Sequence, residues 1–236
     1  MTRPALELVE LAHEHLAGLL PEPVYAGGVA VALLVPPESA ASCRTKDLDC
    51  LFEARNYGEL EAVHEQLRGL GAQPDTREDA PRCRWTLAGL TIDVLAPFAD
   101  APGPVNEWHS VDADATVFVR LDSGATVRVL DAAHLLGSKI LAFRSPYRAN
   151  TGDWYASKDF EDIATLLDGL EFEVCLDQAP KPLREFVAGF LTEVVESEDA
   201  RWAIEGHLAG IHPTQSDRVT EVLMGRIGGW LNPEAG

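Results

Sequence analysis

The stretch Arg44-Thr45-Lys46-Asp47-Leu48-Asp49-Cys50-Leu51-Phe52 sets two carboxylates two positions apart in a largely apolar run. Strand side chains alternate between faces, so in a strand Asp47 and Asp49 would share one face. Carboxylates so placed repel and raise each other's pKa unless a cation relieves them. Mg²⁺ is suited to that role, because it binds one or two carboxylates together with substrate phosphates. A third acid, Asp93, stands inside the apolar run Leu90-Thr91-Ile92-Asp93-Val94-Leu95-Ala96. A buried charge left unpaired there is costly, so Asp93 needs a partner such as a metal, an Arg or water. Two readings follow from the residues: the three acids gather a divalent ion for phosphate chemistry, or they are strand ends facing solvent.

The elements that must position these acids are legible from periodicity. Ala5, Leu8, Val9, Ala12, Leu16, Leu19 and Leu20 form one helical stripe that Pro21 and Pro23 end. Val24 to Gly28, followed by apolar Val29 to Val35, predicts a strand that turns directly into a helix at Gly27-Gly28. Asp49 to Phe52 reads as a buried strand and Tyr57 to Leu70 as an amphipathic helix. Arg84 to Ala96 reads as two strands folded at Ala88-Gly89. Thr116 to Arg120 and Thr126 to Leu130 alternate around Asp122-Ser123-Gly124, a hairpin signal. Helical patterns then follow over Asp131 to Phe143, Lys158 to Leu167, Pro182 to Val195 and Ser216 to Ile227. Strands first and helices after predict an α+β protein with a C-terminal helical region. Ser145 to Ser157 is the most loop-like stretch, so the expected domains are 1–144 and 145–236.

The 236 residues are 46% hydrophobic and 24% charged, a globular composition rather than a disordered one. The formal net charge of -19 disfavours a non-specific grip on nucleic acid or anionic lipid. That charge is uneven along the chain. From Arg120 to Lys158 six basic residues face three acidic ones, whereas 159–236 carries 16 acidic and five basic. A basic window in so acidic a chain suits a triphosphate, though its cations could also simply neutralise neighbouring acids on a solvated face. No apolar run approaches the roughly 18 residues that span a bilayer, and the acidic, amphipathic start is unlike a signal peptide. The expectation is a cytoplasmic protein with no membrane partner, and with Cys43, Cys50, Cys83 and Cys175 as reduced, structural thiols.

Taken together, these words resemble a known family. A Gly-Gly corner after a first strand, an Asp-x-Asp strand and a lone Asp on a later strand resemble the nucleotidyltransferase fold of the DNA polymerase β superfamily. The phrasing is closer still to its AbiEii-like branch, which includes bacterial toxin nucleotidyltransferases of the MenT type. The matching words are Tyr25 to Leu33 (YAGGVAVAL), Arg44 to Asp49 (RTKDLD), Ile92 to Pro97 (IDVLAP), Leu135 to Arg144 (LLGSKILAFR) and Lys158 to Leu167 (KDFEDIATLL). They span roughly residues 22 to 168.

The resemblance implies a mixed sheet with flanking helices and a Mg²⁺-dependent transfer of a nucleotide from a nucleoside triphosphate to an acceptor hydroxyl. Asp47, Asp49 and Asp93 would be the catalytic metal ligands, and Asp93 would also help deprotonate the attacking hydroxyl. Gly27 and Gly28 would admit the triphosphate to a helix N-terminus. Many members carry Ser where this chain has Gly28, which leaves only backbone donors there. Arg44, Lys46, Lys139 and Lys158 would complete the nucleotide contacts, with Asp162 a second active-site position. The acceptor implied is an RNA such as tRNA, in a toxin setting with an antitoxin partner. The acidic C-terminal region instead favours a small cationic acceptor such as an aminoglycoside. A non-catalytic nucleotide- or partner-binding module that keeps the fold is the alternative.

Other signals are weaker. His13 and His15 are two apart on a helix and so point to different faces. Gly228-Gly229 reads as a helix end, and Ser123 and Ser138 lack a nucleophile elbow. Trp85, Trp154 and Trp202 read as core or seam, with Trp154 and Tyr155 as candidates to stack on a base.

Overall fold

The computed structural model describes residues 4–40, 43, 45–103, 106–148 and 150–233. In chain order the elements are α1 (Pro4–Leu16), β1 (Val24–Ala26), α2 (Gly27–Leu34), α3 (Pro37–Ala40), β2 (Asp47–Leu51), α4 (Tyr57–Gly69), β3 (Gln73–Pro74), β4 (Arg84–Leu87) and β5 (Leu90–Leu95). They continue with β6 (Thr116–Arg120), β7 (Thr126–Leu130), α5 (Ala132–Arg144), α6 (Lys158–Gly169), α7 (Phe172–Gln178), α8 (Lys181–Glu196), α9 (Glu198–Leu208) and α10 (Ser216–Leu231). The protein is a mixed α+β structure with a C-terminal helical region. It divides into two compact units, Met1–Leu33 with Cys43–Asp131, and Leu34–Ser42 with Ala132–Gly236. Among the described residues no helix is long and apolar enough to cross a membrane.

The first unit is built on one seven-stranded sheet in the order β3-β4-β5-β2-β1-β7-β6. Its central pairs β2 with β5 and β1 with β7 are parallel, while β1 with β2 and the outer pairs are antiparallel. Alternation decides which side chains each face receives. Leu48, Cys50, Ile92, Trp85 and Val129 are buried and lie in register with one another or with Tyr25 across neighbouring strands, on one face. Helix α4 covers part of that face: the His64 ring lies 4.9 Å from Trp85, and the Arg68 guanidinium lies 5.4 Å from the same indole. Asn56 caps α4 by accepting from the Glu59 amide at 3.0 Å, and the Glu59 carboxylate accepts from the Arg55 amide at 2.8 Å. The first bond satisfies one donor that a helix start otherwise leaves open, and the second ties the residue before the cap to the first turn.

The two predicted hairpins form where their turn residues require. Ala88 and Gly89 both hold positive φ, 49° and 85°, which matches the twist of a two-residue hairpin, and Gly124 at 89° closes the β6–β7 turn.

The second unit packs helices around an aromatic cluster. Phe143 of α5, Phe160 of α6 and Trp154 meet at centroid distances of 4.7–5.4 Å, and Phe190 of α8 closes on Phe143 at 5.8 Å. Trp154 is half-buried at the edge of this cluster. Trp202 is not core: it is 60% exposed, because the buried side of α9 is made by Ala200, Ala203, Ile204 and Leu208, and residue 202 falls outside that stripe. Helix α10 also runs past Gly228-Gly229 to Leu231 rather than ending there. Beyond the glycines, Trp230 donates from its indole nitrogen to Asp177 at 3.0 Å, a tertiary contact that a local reading of two glycines does not contain. Arg226 ties α10 to α7 through a forked pair with Glu173 at 2.6 and 2.7 Å, and caps the Leu170 carbonyl at 2.8 Å.

All four cysteines are thiols, and Cys43, Cys50 and Cys83 are buried. Burial, with the nearby charge of Asp93, pushes the Cys83 thiol up to about 12. Burial raises Cys50 still further, with Asp49 and Asp93 adding to it. Since the thiolate is the reactive form, Cys50 and Cys83 are expected to stay unmodified by a disulfide reagent at pH 8 until the protein is unfolded. Half-buried Cys175 should react first, which mass mapping of the modified peptides over time would show.

Candidate active site

The acids on the sheet share a face because the register makes them neighbours. Asp49 of β2 sits directly opposite Asp93 of β5 on parallel strands, and Asp47 is one alternation step along β2. The same row continues outward in both directions. Arg84 of β4 opposes Asp93, and Ala26, the last residue of β1, opposes Asp49. One line of side chains, Arg84-Asp93-Asp49, thus crosses three strands and ends at the point where β1 becomes α2.

Gly27 makes that end possible. It holds φ +60°, and a Cβ placed on it would lie 1.7 Å from the Asp49 Oδ2 atom and 2.7 Å from its carboxyl carbon. The Asp49 carboxylate therefore rests against the backbone that opens α2, in space only glycine leaves vacant. Gly28 is less constrained: its Cβ would meet the Thr45 side chain at 3.1–3.2 Å. The Thr45 hydroxyl in turn donates to Asp47, at 3.1 Å to its Oδ1.

Asp93 is buried, and its partner here is an arginine. The Arg84 Nε donates to Asp93 Oδ1 at 2.8 Å, and one terminal nitrogen donates to Asp93 Oδ2 at 2.7 Å and to Asp47 Oδ2 at 3.0 Å. This fork is the bidentate geometry that gives guanidinium and carboxylate their strongest pairing. Hydrogen bonding to Asp93 holds the Arg84 pKa above its ordinary value. Arg84 was not among the residues the sequence singled out. Counting back from the Ala88-Gly89 turn pairs Leu87 with Leu90 and so Arg84 with Asp93, which is the signal that would have found it.

Mg²⁺ can be tested against these donors. Asp47, Asp49 and Asp93 offer only carboxylate oxygens, and the Asp47 side chain is 41% exposed, so water can complete a hard cation's shell. The set fits such an ion in donor type and backbone placement. As the side chains stand, Arg84 holds Asp47 and Asp93, and among the described residues no group of three or more His, Cys, Asp or Glu side chains is arranged to hold a metal.

Lys46 is exposed just before β2, and Arg44 lies outside the described residues. Lys139, Lys158 and Asp162 belong to the second unit and are brought together there. Buried Lys139 of α5 reaches Asp162 at 2.6 Å and Asp159 at 3.3 Å on α6. Lys158 reaches Asp162 at 2.8 Å, one helical turn away. Burial alone would raise the Asp162 pKa, but Lys139 and Lys158 outweigh it and hold the carboxyl below its ordinary value.

The fold and site thus define a mixed α+β protein whose central sheet carries a row of acids bound by one arginine. No family model matches the chain, and no curated protein matches it. Among solved structures, the crystal structure of JHP933 from Helicobacter pylori is similar, with 12% sequence identity, a TM-score of 0.49, and coverage of 100% of this chain and 96% of that one.

Two outcomes follow from the geometry. Gly27→Ala forces a left-handed residue with a side chain into the Asp49 carboxylate, and is expected to cost about 1–3 kcal/mol or more in urea unfolding, with Gly28→Ala costing less. A folded Asp162 pKa below the unfolded value of about 4 stabilises the protein above that value. This contribution is lost as pH falls through the lower folded pKa. Asp162→Asn should therefore lower stability by about 3–5 kcal/mol at pH 7. The gap should narrow as pH drops below about 4, in unfolding curves recorded at pH 7 and pH 3.

Proposed function

We propose that this protein is a Mg²⁺-dependent nucleotidyltransferase, moving a nucleotide from a nucleoside triphosphate to an acceptor hydroxyl. The observation that carries the reading is the register that sets Asp49 opposite Asp93, with Asp47 one step along, beside the glycine-opened start of α2. In this reading Asp47, Asp49 and Asp93 hold the ion. When bound, Mg²⁺ would supply charge neutralisation for the phosphates and for the developing alkoxide. Asp93 takes the proton of the acceptor hydroxyl as its oxygen forms a bond to the α-phosphorus, and the bond from that phosphorus to the bridging oxygen breaks to release pyrophosphate. Gly27 and Gly28 let phosphate oxygens approach backbone N–H groups at the α2 start. Lys46, exposed just before β2, is the cation of this unit assigned to phosphate.

Charge and resemblance point to different acceptors. An excess of acids over bases in 159–236 attracts a small cationic acceptor such as an aminoglycoside, whereas the resemblance to toxin enzymes favours RNA such as tRNA, with an antitoxin protein as partner. A second reading has its own support: because Arg84 already neutralises Asp93 and Asp47, the chain could bind a nucleotide or a partner protein without catalysis.

Incubation with each α-labelled triphosphate, Mg²⁺, total tRNA and a set of aminoglycosides should yield one labelled acceptor class. Asp93→Asn should lower that transfer about 10²-fold or more, the scale of losing a general base. Triphosphate-dependent thermal stabilisation with no transfer to any acceptor would leave the binding module as the function.

A further inference from the structure

Arg84 occupies the carboxylates that a divalent ion would need. Its fork takes both Asp93 oxygens, at 2.8 and 2.7 Å, and one Asp47 oxygen at 3.0 Å. The Arg84 side chain is 20% exposed and that of Asp93 11%, so solvent screens this contact little. A guanidinium keeps its charge at any physiological pH and has no lone pair to give a metal. A hard cation must place the same oxygens at about 2.0–2.1 Å from itself, which would set two positive charges within a few ångströms of each other. The pairing of Arg84 with these acids and a metal on them therefore oppose each other.

We infer that Arg84 is a resident counter-cation that competes with a divalent metal for Asp93 and Asp47, giving the sheet face two competing states, guanidinium-held and metal-held. The inference rests on the metal-site reading above and adds to it a residue that sets how tightly the metal binds. Without a metal, Arg84 offsets the repulsion among three acids on one face. With a metal, the ion takes over that role and Arg84 is released from the fork. Removing the Arg84 charge thus leaves the acids short of a cation and makes them a stronger metal site.

Titration with Mn²⁺ alone, followed by loss of the free-ion paramagnetic resonance signal, tests this on the full chain. Arg84→Gln should bind Mn²⁺ on the order of tenfold or more tighter than wild type, and Arg84→Lys, which keeps a cation, should stay nearer wild type. Asp49→Asn should abolish binding in both backgrounds. Equal or weaker Mn²⁺ binding by Arg84→Gln, with wild-type binding still lost in Asp49→Asn, overturns the competition and leaves the metal site standing. Absence of Mn²⁺ binding in every variant overturns both. Should Arg84→Gln fail to fold, the wild-type Arg84 Nε–H resonance serves instead. It is expected to shift to a solvent-exposed position as Mg²⁺ is added, and a resonance unmoved at Mg²⁺ levels that shift the Asp49 and Asp93 amides refutes the proposal.

Discussion

A carboxylate set into the buried middle of a sheet must be paired, and the pairing of Asp93 organises the first unit. Apart from Thr91, the strand that carries Asp93 is apolar, and on its other face Ile92 and Val94 are fully packed. Folding this strand into the centre of the sheet is tolerable because the antiparallel neighbour delivers Arg84 to the same row. The guanidinium then reaches past Asp93 to Asp47, so one cation binds acids from two strands. Such a pair is costly to break from either side, since the survivor is left as a buried charge.

The same constraint shapes the second unit by a different route. Lys139 lies among the buried residues of α5, a helix buried along most of its length, and it is accommodated because α6 presents Asp159 and Asp162 toward it. Asp162 in turn gains Lys158 one turn back on its own helix. Around this polar centre the aromatic cluster of Phe143, Trp154, Phe160 and Phe190 supplies the apolar burial that the ion pairs do not. Each unit therefore combines an apolar core with a part-buried ion-pair network that includes residues to which the resemblance assigns phosphate chemistry.

Local pattern made most elements legible. The strand-to-helix corner at Gly27, the hairpins at Ala88-Gly89 and Ser123-Gly124, and helices α4, α5, α6, α8 and α10 follow from apolar period and turn residues within a few positions of their ends. Helices α7 and α9 were not legible, because each is short and its few apolar residues acquire a stripe only once other helices bury them. Of the site, the alternation of Asp47 and Asp49 could be read directly, and so could the need of Asp93 for a partner. The identity of that partner was within reach through hairpin register alone.

The sequence by itself determined which residues carry charge inside apolar runs, where the chain turns, and that the strands are confined to the first 130 residues with only helices after them. Those features depend on neighbours a few residues away, through side-chain alternation, turn conformation and helical period. Only the tertiary structure decided that β5 lies beside β2 and β2 beside β1, so that Asp93, Asp49 and the opening of α2 fall on one line. That strand order joins segments distant in the chain, and it is selected by how whole faces of the sheet pack rather than by any local preference. For the same reason Gly27, readable only as a corner from the sequence, proved to be the residue whose missing side chain leaves room for the Asp49 carboxylate.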